Sequence, residues 1–292
     1  MLSAGRNPPV RTWILAAMRH LRLLHGRTHP SRVVPKYRIK FHYTELKGMP
    51  TASSAPSLHV LVRREDVDPA RLAGRVVVVI DVLFATSTIV HALGAGAAAV
   101  YPARDDGDAR AAAARRPGVV IAGEYMARTL PGHAPATPLA LALHLVRGGD
   151  LVYLTTNGTR AIAACAGAAA VYAGALGNAT ALARHVVARH PGQPVLLLCA
   201  GSLGRFSLED FIGAGHLARA LRAAGDYAPT DAALAAEFAS MGIDPGRALS
   251  TSRVGRIVAG AGLEAEIAHA AACDTCDVVP VLRDGVLVRA QA

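Results

Sequence analysis

Past the first fifth of the chain, short apolar runs alternate with longer stretches in which apolar residues recur at helical spacing. The run 76–80, VVVVI, is almost entirely β-branched and predicts a strand that is buried on both faces. The following segment, 86–95, places Ile89, Val90 and Leu93 on one face and predicts a helix. This alternation repeats along the chain and indicates a mostly parallel sheet covered by helices on both faces.

The same pattern predicts the individual strands and helices. Strands are predicted at 58–62, 76–80, 98–101, 119–122, 151–154, 171–173, 195–199, 278–282 and 285–288, the last two as a closing hairpin. Helices are predicted at 86–95, 105–115, 139–146, 159–166, 178–189, 207–221, 230–240, 252–259 and 264–272. Because no long linker interrupts this order, we expect a single α/β domain over 57–292.

Composition and charge narrow the class of protein. The 292 residues are 52% hydrophobic with a mean hydropathy of +0.31, which excludes a disordered chain. The net charge of +10 suggests a polyanionic partner, but the first 50 residues hold ten of the 31 Lys and Arg and one of the 21 Asp and Glu. The rest of the chain is therefore nearly neutral. No nucleic-acid partner is expected for the main domain.

The basic excess belongs to a predicted N-terminal extension, 1–56, which we expect to be disordered. Its apolar run, 13–18, is shorter than a signal-peptide core or a membrane span requires. The alternatives are a transit peptide, a membrane-surface helix, or an over-extended gene start with Met49 as the true one. No membrane span is expected.

The four cysteines do not indicate a metal site or a disulfide. Cys165 and Cys199 lie in apolar surroundings, and Cys273 and Cys276 have CxxC spacing without a second ligand pair. We expect reduced thiols in a cytoplasmic protein.

Four predicted strands end in clusters of polar residues and glycine. These clusters are IDVLFATST, AGEY, YLTTNGTRA and CAGSLGRFSLED. Their candidate catalytic and metal-binding carboxylates are Asp81, Glu124, Glu209 and Asp210. Their candidate substrate-binding residues are Thr86, Ser87, Thr88, Thr155, Thr156, Asn157, Gly158, Thr159, Arg160 and Gly201.

These residue types suit a phosphate held beside a divalent metal ion. Ligands of open parallel sheets bind outside the carboxyl ends of the strands, where glycines and helix N-termini present N–H groups to anions. Carboxylates are the hard oxygen ligands that Mg²⁺ prefers. The clusters therefore predict a site that binds a phosphate group beside a divalent metal ion. Asp81 is the leading candidate for the nucleophile or a metal ligand, and the sequence leaves both roles open.

Other catalytic templates fit less well. The chain has no GxxxxGK[ST], GxSxG or HExxH motif. A haloacid-dehalogenase-type phosphatase would need a second aspartate two residues after Asp81, where this chain has Leu83.

Together the clusters resemble the 2-phosphosulfolactate phosphatase family, of the ComB type. The family signature VVIDVLRATST is similar to residues 78–88 here, and the family's TTNGT is present at 155–159. GEY at 123–125, PATP at 135–138 and CAG at 199–201 followed by Glu209-Asp210 are similar to further family motifs. The similarity covers about 58–288 and excludes the N-terminal extension.

The resemblance implies a three-layer α/β/α sandwich and a Mg²⁺-dependent site. The family hydrolyses (2R)-O-phospho-3-sulfolactate to sulfolactate and phosphate, which in methanogens lies on a route to coenzyme M. The expected partner is accordingly a small phosphorylated metabolite, with or without a sulfonate. A homodimer is left open.

Three departures from the family pattern affect the expected substrate. Phe84 and Tyr125 stand where the family has arginines, and Ala136 replaces an asparagine. Arginine is suited to bidentate binding of phosphate and sulfonate. We therefore expect phosphosulfolactate to be a poor substrate, unless Arg128, Arg160 or Arg205 compensates. Alternatives are a family member that binds or hydrolyses another phosphorylated metabolite, a catalytically weak binder, or a scaffold with a basic tail.

Overall fold

The computed structural model describes residues 54–145 and 147–291. The predicted N-terminal extension thus lies outside the described residues except at positions 54–56. The strands are β1 Ser57–Leu61, β2 Val76–Ile80, β3 Ala99–Ala103, β4 Val120–Tyr125, β5 Arg128–Thr129, β6 Asp150–Leu154, β7 Ala170–Gly174, β8 Val195–Cys199, β9 Ala228–Pro229, β10 Pro280–Arg283 and β11 Val286–Arg289.

Helices follow most of the strands. They are α1 Ala85–Gly94, α2 Asp106–Ala114, α3 Pro138–Ala142, α4 Gly158–Ala164, α5 Ala179–Arg189, α6 Leu208–Ala224, α7 Asp231–Ser240, α8 Pro245–Thr251, α9 Arg253–Gly260 and α10 Glu264–Ala271. Short 3₁₀ turns cover Arg64–Asp66, Pro69–Arg71 and Leu176–Asn178. Several helices begin at side-chain caps, such as Asp105 for α2 and Ser207 for α6, whose oxygens accept from backbone N–H groups three residues later.

The described strands form one mixed sheet in the order β5-β4-β6-β3-β11-β10-β7-β2-β8-β1-β9. One parallel half contains β7, β2, β8, β1 and β9, and the other contains β4, β6 and β3. The antiparallel hairpin β10–β11 joins the halves and pairs antiparallel with β7 on one side and β3 on the other. The two parallel halves therefore run in opposite directions.

Strand β2 shows why helices cover both faces of the sheet. All five of its residues are buried. Val76, Val78 and Ile80 pack in one apolar core with residues of α5 and α6, whereas Val77 and Val79 pack in a second core with residues of α1 and α4. Because successive strand side chains point to opposite faces, a continuous apolar run needs two cores. This arrangement confirms the expected three-layer α/β/α sandwich with a mostly parallel, mixed sheet.

The predicted elements differ from the structure at a few positions. Helix α3 ends at Ala142, four residues before the predicted end. Helix α8 was not predicted, although Asp244 followed by Pro245 is a typical helix start and the Asp244 Oδ1 accepts from Arg247 N at 2.7 Å. The two-residue strands β5 and β9 are too short to produce a sequence pattern.

Candidate active site

A cavity of about 240 Å³ lies where strand ends from both halves of the sheet approach the helices α9 and α10. Its polar lining is Asp81, Glu124, Thr129, Thr137, Thr155, Thr156, Asn157, Ser202, Ser207, Glu209, Asp210 and Arg253. Its other lining residues include Leu83, Phe84, Met126, Tyr153, Gly201, Val254, Ile257 and Leu263. The structure therefore brings all four predicted carboxylates to one cavity.

Asp81 follows β2 directly and is buried. Its backbone is fixed by Thr86, whose Oγ1 accepts from Asp81 N at 3.0 Å and donates to Asp81 O at 2.9 Å. Its carboxylate accepts from the N–H groups of Ala85 and Gly158. Burial first, and then the negative charges of Glu124 and Glu209, raise the pKa of Asp81 to about 7 against the opposing effect of these hydrogen bonds. Asp81 is thus a cavity carboxyl that changes charge near neutral pH.

Glu124 lies in β4 and has both carboxylate oxygens occupied by backbone donors. Oε1 accepts from Thr156 N at 2.6 Å, and Oε2 accepts from Ala127 N at 2.9 Å. Met126 and Ala127 have left-handed φ values of 54° and 61°, a strained conformation that the Glu124 bond supports. Glu124 therefore ties the TTNGT loop to the β4–β5 turn.

Asp210 and Glu209 are neighbours in the first turn of α6, but they have different surroundings. The Asp210 Oδ1 accepts from Val82 N at 3.0 Å and its Oδ2 accepts from Gly201 N at 3.1 Å, so it joins the ends of β2 and β8. Burial, followed by the charges of Asp81 and Glu209, raises the pKa of Asp210 well above its ordinary value. No hydrogen bond or ion pair of the described residues reaches the buried Glu209 carboxylate, which lines the cavity.

The hydroxyls of the first cluster form hydrogen bonds with backbone groups and do not line the cavity. Thr86 closes the turn after β2, Ser87 Oγ donates to Val82 O at 2.9 Å, and Thr88 Oγ1 donates to Ala136 O at 3.0 Å. All three are buried in α1. In this structure, the three hydroxyls therefore stabilise the segment that connects β2 to α1 and the start of that helix.

The second cluster divides between the cavity and the interior. Thr155, Thr156 and Asn157 line the cavity. Thr159 is fully buried, and its N–H donates to Thr155 Oγ1 at 3.2 Å. At Gly158, a Cβ would lie 2.6 Å from the nearer Asp81 oxygen, so that only glycine allows α4 to begin there.

The predicted substrate cation, Arg160, lies outside the cavity. It is exposed, and its Nε donates to Arg104 O at 3.0 Å. Arg128 and Arg205 do not line the cavity either, and Tyr125 is 60% exposed and away from it. Phe84 does form part of the wall, and Gly201 lines the cavity as expected.

Two arginines that the sequence analysis missed support the site. Arg253, the first residue of α9, lines the cavity. Arg64 Nη1 donates to the carbonyl oxygens of Thr156 and Asn157, at 3.3 and 3.4 Å. Neither arginine belongs to a motif. Only the tertiary structure brings them to the strand ends.

Two negative findings apply to the described residues, 54–145 and 147–291. No group of three or more His, Cys, Asp and Glu side chains there is arranged to hold a metal ion. The described helices include none that is long and apolar enough to cross a membrane.

A three-layer α/β sandwich whose converging strand ends bring carboxylates and hydroxyls to one cavity has the architecture of an α/β enzyme. Comparison with known proteins then gives the family: the model of 2-phosphosulpholactate phosphatase matches residues 61–285. The chain therefore belongs to the 2-phosphosulfolactate phosphatase family, which confirms the resemblance and the expected class, a phosphoric monoester hydrolase.

Curated relatives agree with this assignment. The probable 2-phosphosulfolactate phosphatase of Deinococcus radiodurans is 38% identical over 225 residues, which are 76% of this chain and 93% of the relative. The protein of the same name from Symbiobacterium thermophilum is 36% identical over 232 residues, 76% of this chain and 98% of the relative. The Thermotoga maritima protein of that name is 34% identical over 218 residues, 73% and 92%.

Proposed function

We propose that this cavity hydrolyses a small phosphate monoester with the help of Mg²⁺. The observation that carries the proposal is the meeting of two different sets of groups at the strand ends. Asp81 and Glu209 supply carboxylate oxygens, while Thr155, Thr156 and Ser202 supply hydroxyl groups. This combination suits a phosphate group whose charge is partly balanced by a cation.

The hydrogen bonds distinguish the four carboxylates. Glu124 and Asp210 already use both of their oxygens on backbone N–H groups. The Asp81 carboxylate also accepts from two N–H groups, those of Ala85 and Gly158, whereas no hydrogen bond of the described residues reaches Glu209. Glu209 is therefore the first candidate ligand for Mg²⁺, and Asp81, which lines the same cavity, is the second. Proteins commonly bind Mg²⁺ through one or two carboxylates together with phosphate oxygens and water. Such a site does not require the three-carboxylate group that the described residues lack. When bound, Mg²⁺ would neutralise charge on the phosphate and leaving oxygens.

The remaining residues would orient the substrate. The Glu124 carboxylate and the Arg64 guanidinium fix the TTNGT loop from its N–H and its carbonyl sides, respectively. The loop is therefore held rigid before a phosphate arrives, which lowers the cost of ordering it during the reaction. Asp81 is either a metal ligand or the nucleophile, and a phosphorylated Asp81 trapped by rapid quenching would assign the second role.

The test measures phosphate release from a panel of phosphate monoesters, including phosphosulfolactate, with Mg²⁺ and with EDTA. We expect release to require Mg²⁺ and Asp81→Asn to lower kcat by at least about 100-fold, because the variant loses a charge that acts on the reacting phosphate. Asp226→Asn is the matched control, since Asp226 is exposed and outside the cavity. The absence of release from every ester, or full activity of Asp81→Asn, would contradict the proposal.

A further inference from the structure

Arg253 is the one basic side chain among the described residues that line the cavity. It is half-buried, and its Nη2 lies 3.5 Å from the carbonyl oxygen of Ser202, to which it donates. Within the described chain no other hydrogen bond or ion pair holds this guanidinium. Because a guanidinium carries five N–H donors, most of them remain for an anion in the cavity.

The position of Arg253 is set by a tight junction between two helices. Ser252 ends α8 and begins α9, and its Oγ accepts from Gly255 N at 2.8 Å. At Gly255 a Cβ would overlap the carbonyl oxygen of Leu249, so that α9 packs against α8 only with glycine there. The guanidinium therefore projects from a rigid element, as an anion-binding residue requires.

An apolar wall lies beside Arg253. Leu83, Phe84, Val254, Ile257 and Leu263 line the cavity there. Arg253 reaches Ser202 at the strand-end loop, whereas Ile257 lies one helical turn further on and is 40% exposed. Arg253 and these apolar residues therefore line the same cavity, with Ile257 towards solvent.

Building on the phosphatase function proposed above, we propose that Arg253 binds the phosphate group and that the rest of the substrate is uncharged and apolar. A second anionic group, such as a sulfonate, would meet no second cation among the described lining residues. It would instead face the carboxylates, and an unpaired charge is costly to remove from water. An apolar tail, in contrast, would lose water contact against Phe84, Val254 and Ile257.

The first experiment measures the binding of inorganic phosphate to the full chain by calorimetry, in EDTA and in Mg²⁺. Arg253→Met should weaken binding by about 10- to 100-fold, the effect of removing a charge-assisted hydrogen bond. Arg256→Met is the matched control: Arg256 lies on the same helix, is exposed, and donates to Thr251 O outside the cavity. Equal binding by the wild type and Arg253→Met, equal losses in both variants, or no binding by the wild type would overturn the role of Arg253.

The second experiment compares isobutyl phosphate with phosphosulfolactate. We expect the dissociation constant of isobutyl phosphate to be at least about tenfold lower, and its kcat/KM to be higher by a similar factor. The opposite order would overturn the apolar preference. If neither ester releases phosphate, the proposed catalytic function fails, while the two dissociation constants still decide the preference.

Discussion

The two walls of the cavity are built in different ways. The strand-end wall carries Asp81, Glu124 and Asp210, and long-range hydrogen bonds such as that between Val82 and Asp210 hold it together. The helical wall, formed by α9 and by Leu263 before α10, is held by a local cap at Ser252 and presents mainly apolar side chains beside Arg253. The carboxylates are therefore concentrated where long-range hydrogen bonds constrain the backbone most. The helical wall is free to set which substrate is accepted.

The largest expected effect separates structural from functional carboxylates within the strand-end wall. Asp210→Ala leaves two buried N–H groups, of Val82 and Gly201, without an acceptor. At about 1–3 kcal/mol for each group, the free energy of unfolding should fall by about 2–6 kcal/mol. Urea titration followed by circular dichroism measures this fall.

The neighbouring residue provides the control for that change. Glu209→Ala removes a side chain without a hydrogen bond in the described structure and should cost less than about 1 kcal/mol, mainly the favourable placement of an acid in the first turn of α6. Similar losses in both variants would show that the two carboxylates have the same role.

The next effect concerns pH. The folded pKa of Asp81 is raised from 3.8 to about 7, so the folded state keeps this proton longer than the unfolded state does. The stability that this proton contributes is therefore present at low pH and is lost as pH rises from about 4 to 7. Asp81→Asn should remove this dependence: between pH 5 and pH 8, the wild type should lose about 3 kcal/mol more than the variant does.

Urea titrations at both pH values, in EDTA, measure the difference for Asp81→Asn. Asp226→Asn, an exposed change, should follow the wild type. A pH dependence that is unchanged in Asp81→Asn would place the origin of the titration elsewhere.

The smallest expected effect concerns Phe84, one of the apolar residues that line the cavity. Phe84→Arg places a second cation in the apolar wall and should raise kcat/KM for phosphosulfolactate relative to isobutyl phosphate by about tenfold, through one added charge-assisted contact. Steady-state kinetics with both esters measures the ratio. Phe84→Leu, which keeps the wall apolar, should leave the ratio within about threefold. An identical shift in both variants would exclude a charge effect.

The sequence identified strand ends that meet at one cavity, but it could not separate the roles of their residues. Asp81, Glu124, Glu209 and Asp210 have the same chemistry in a motif, and all four were expected to act in catalysis. The structure separates them, because only the fold places Thr156 N on Glu124 and Val82 N on Asp210. The same uncertainty applies to the hydroxyls of Thr86 and Thr88, because a hydroxyl after a strand can form hydrogen bonds with the backbone or with a ligand equally well.

Other parts of the site had no local signal. Arg253 lies in a helix that was predicted from apolar spacing, and nothing in that spacing indicates a cavity. The opposite directions of the two parallel halves follow from the pairing of β10–β11 between β7 and β3. Strand order depends on contacts between distant parts of the chain. The local pattern of alternating strands and helices therefore could not show that strand ends from two oppositely directed halves of the sheet meet at one cavity.

The hairpin β10–β11 has a consequence for the order of events during synthesis. It lies in the middle of the sheet, yet it is made from the last described strands of the chain. As the chain leaves the ribosome, β7 and β3 are both edge strands with unpaired backbone groups until this hairpin has been translated. Asp81 belongs to one half and Glu124 to the other, so the sheet joins the two sides of this cavity only after β10–β11 has been translated.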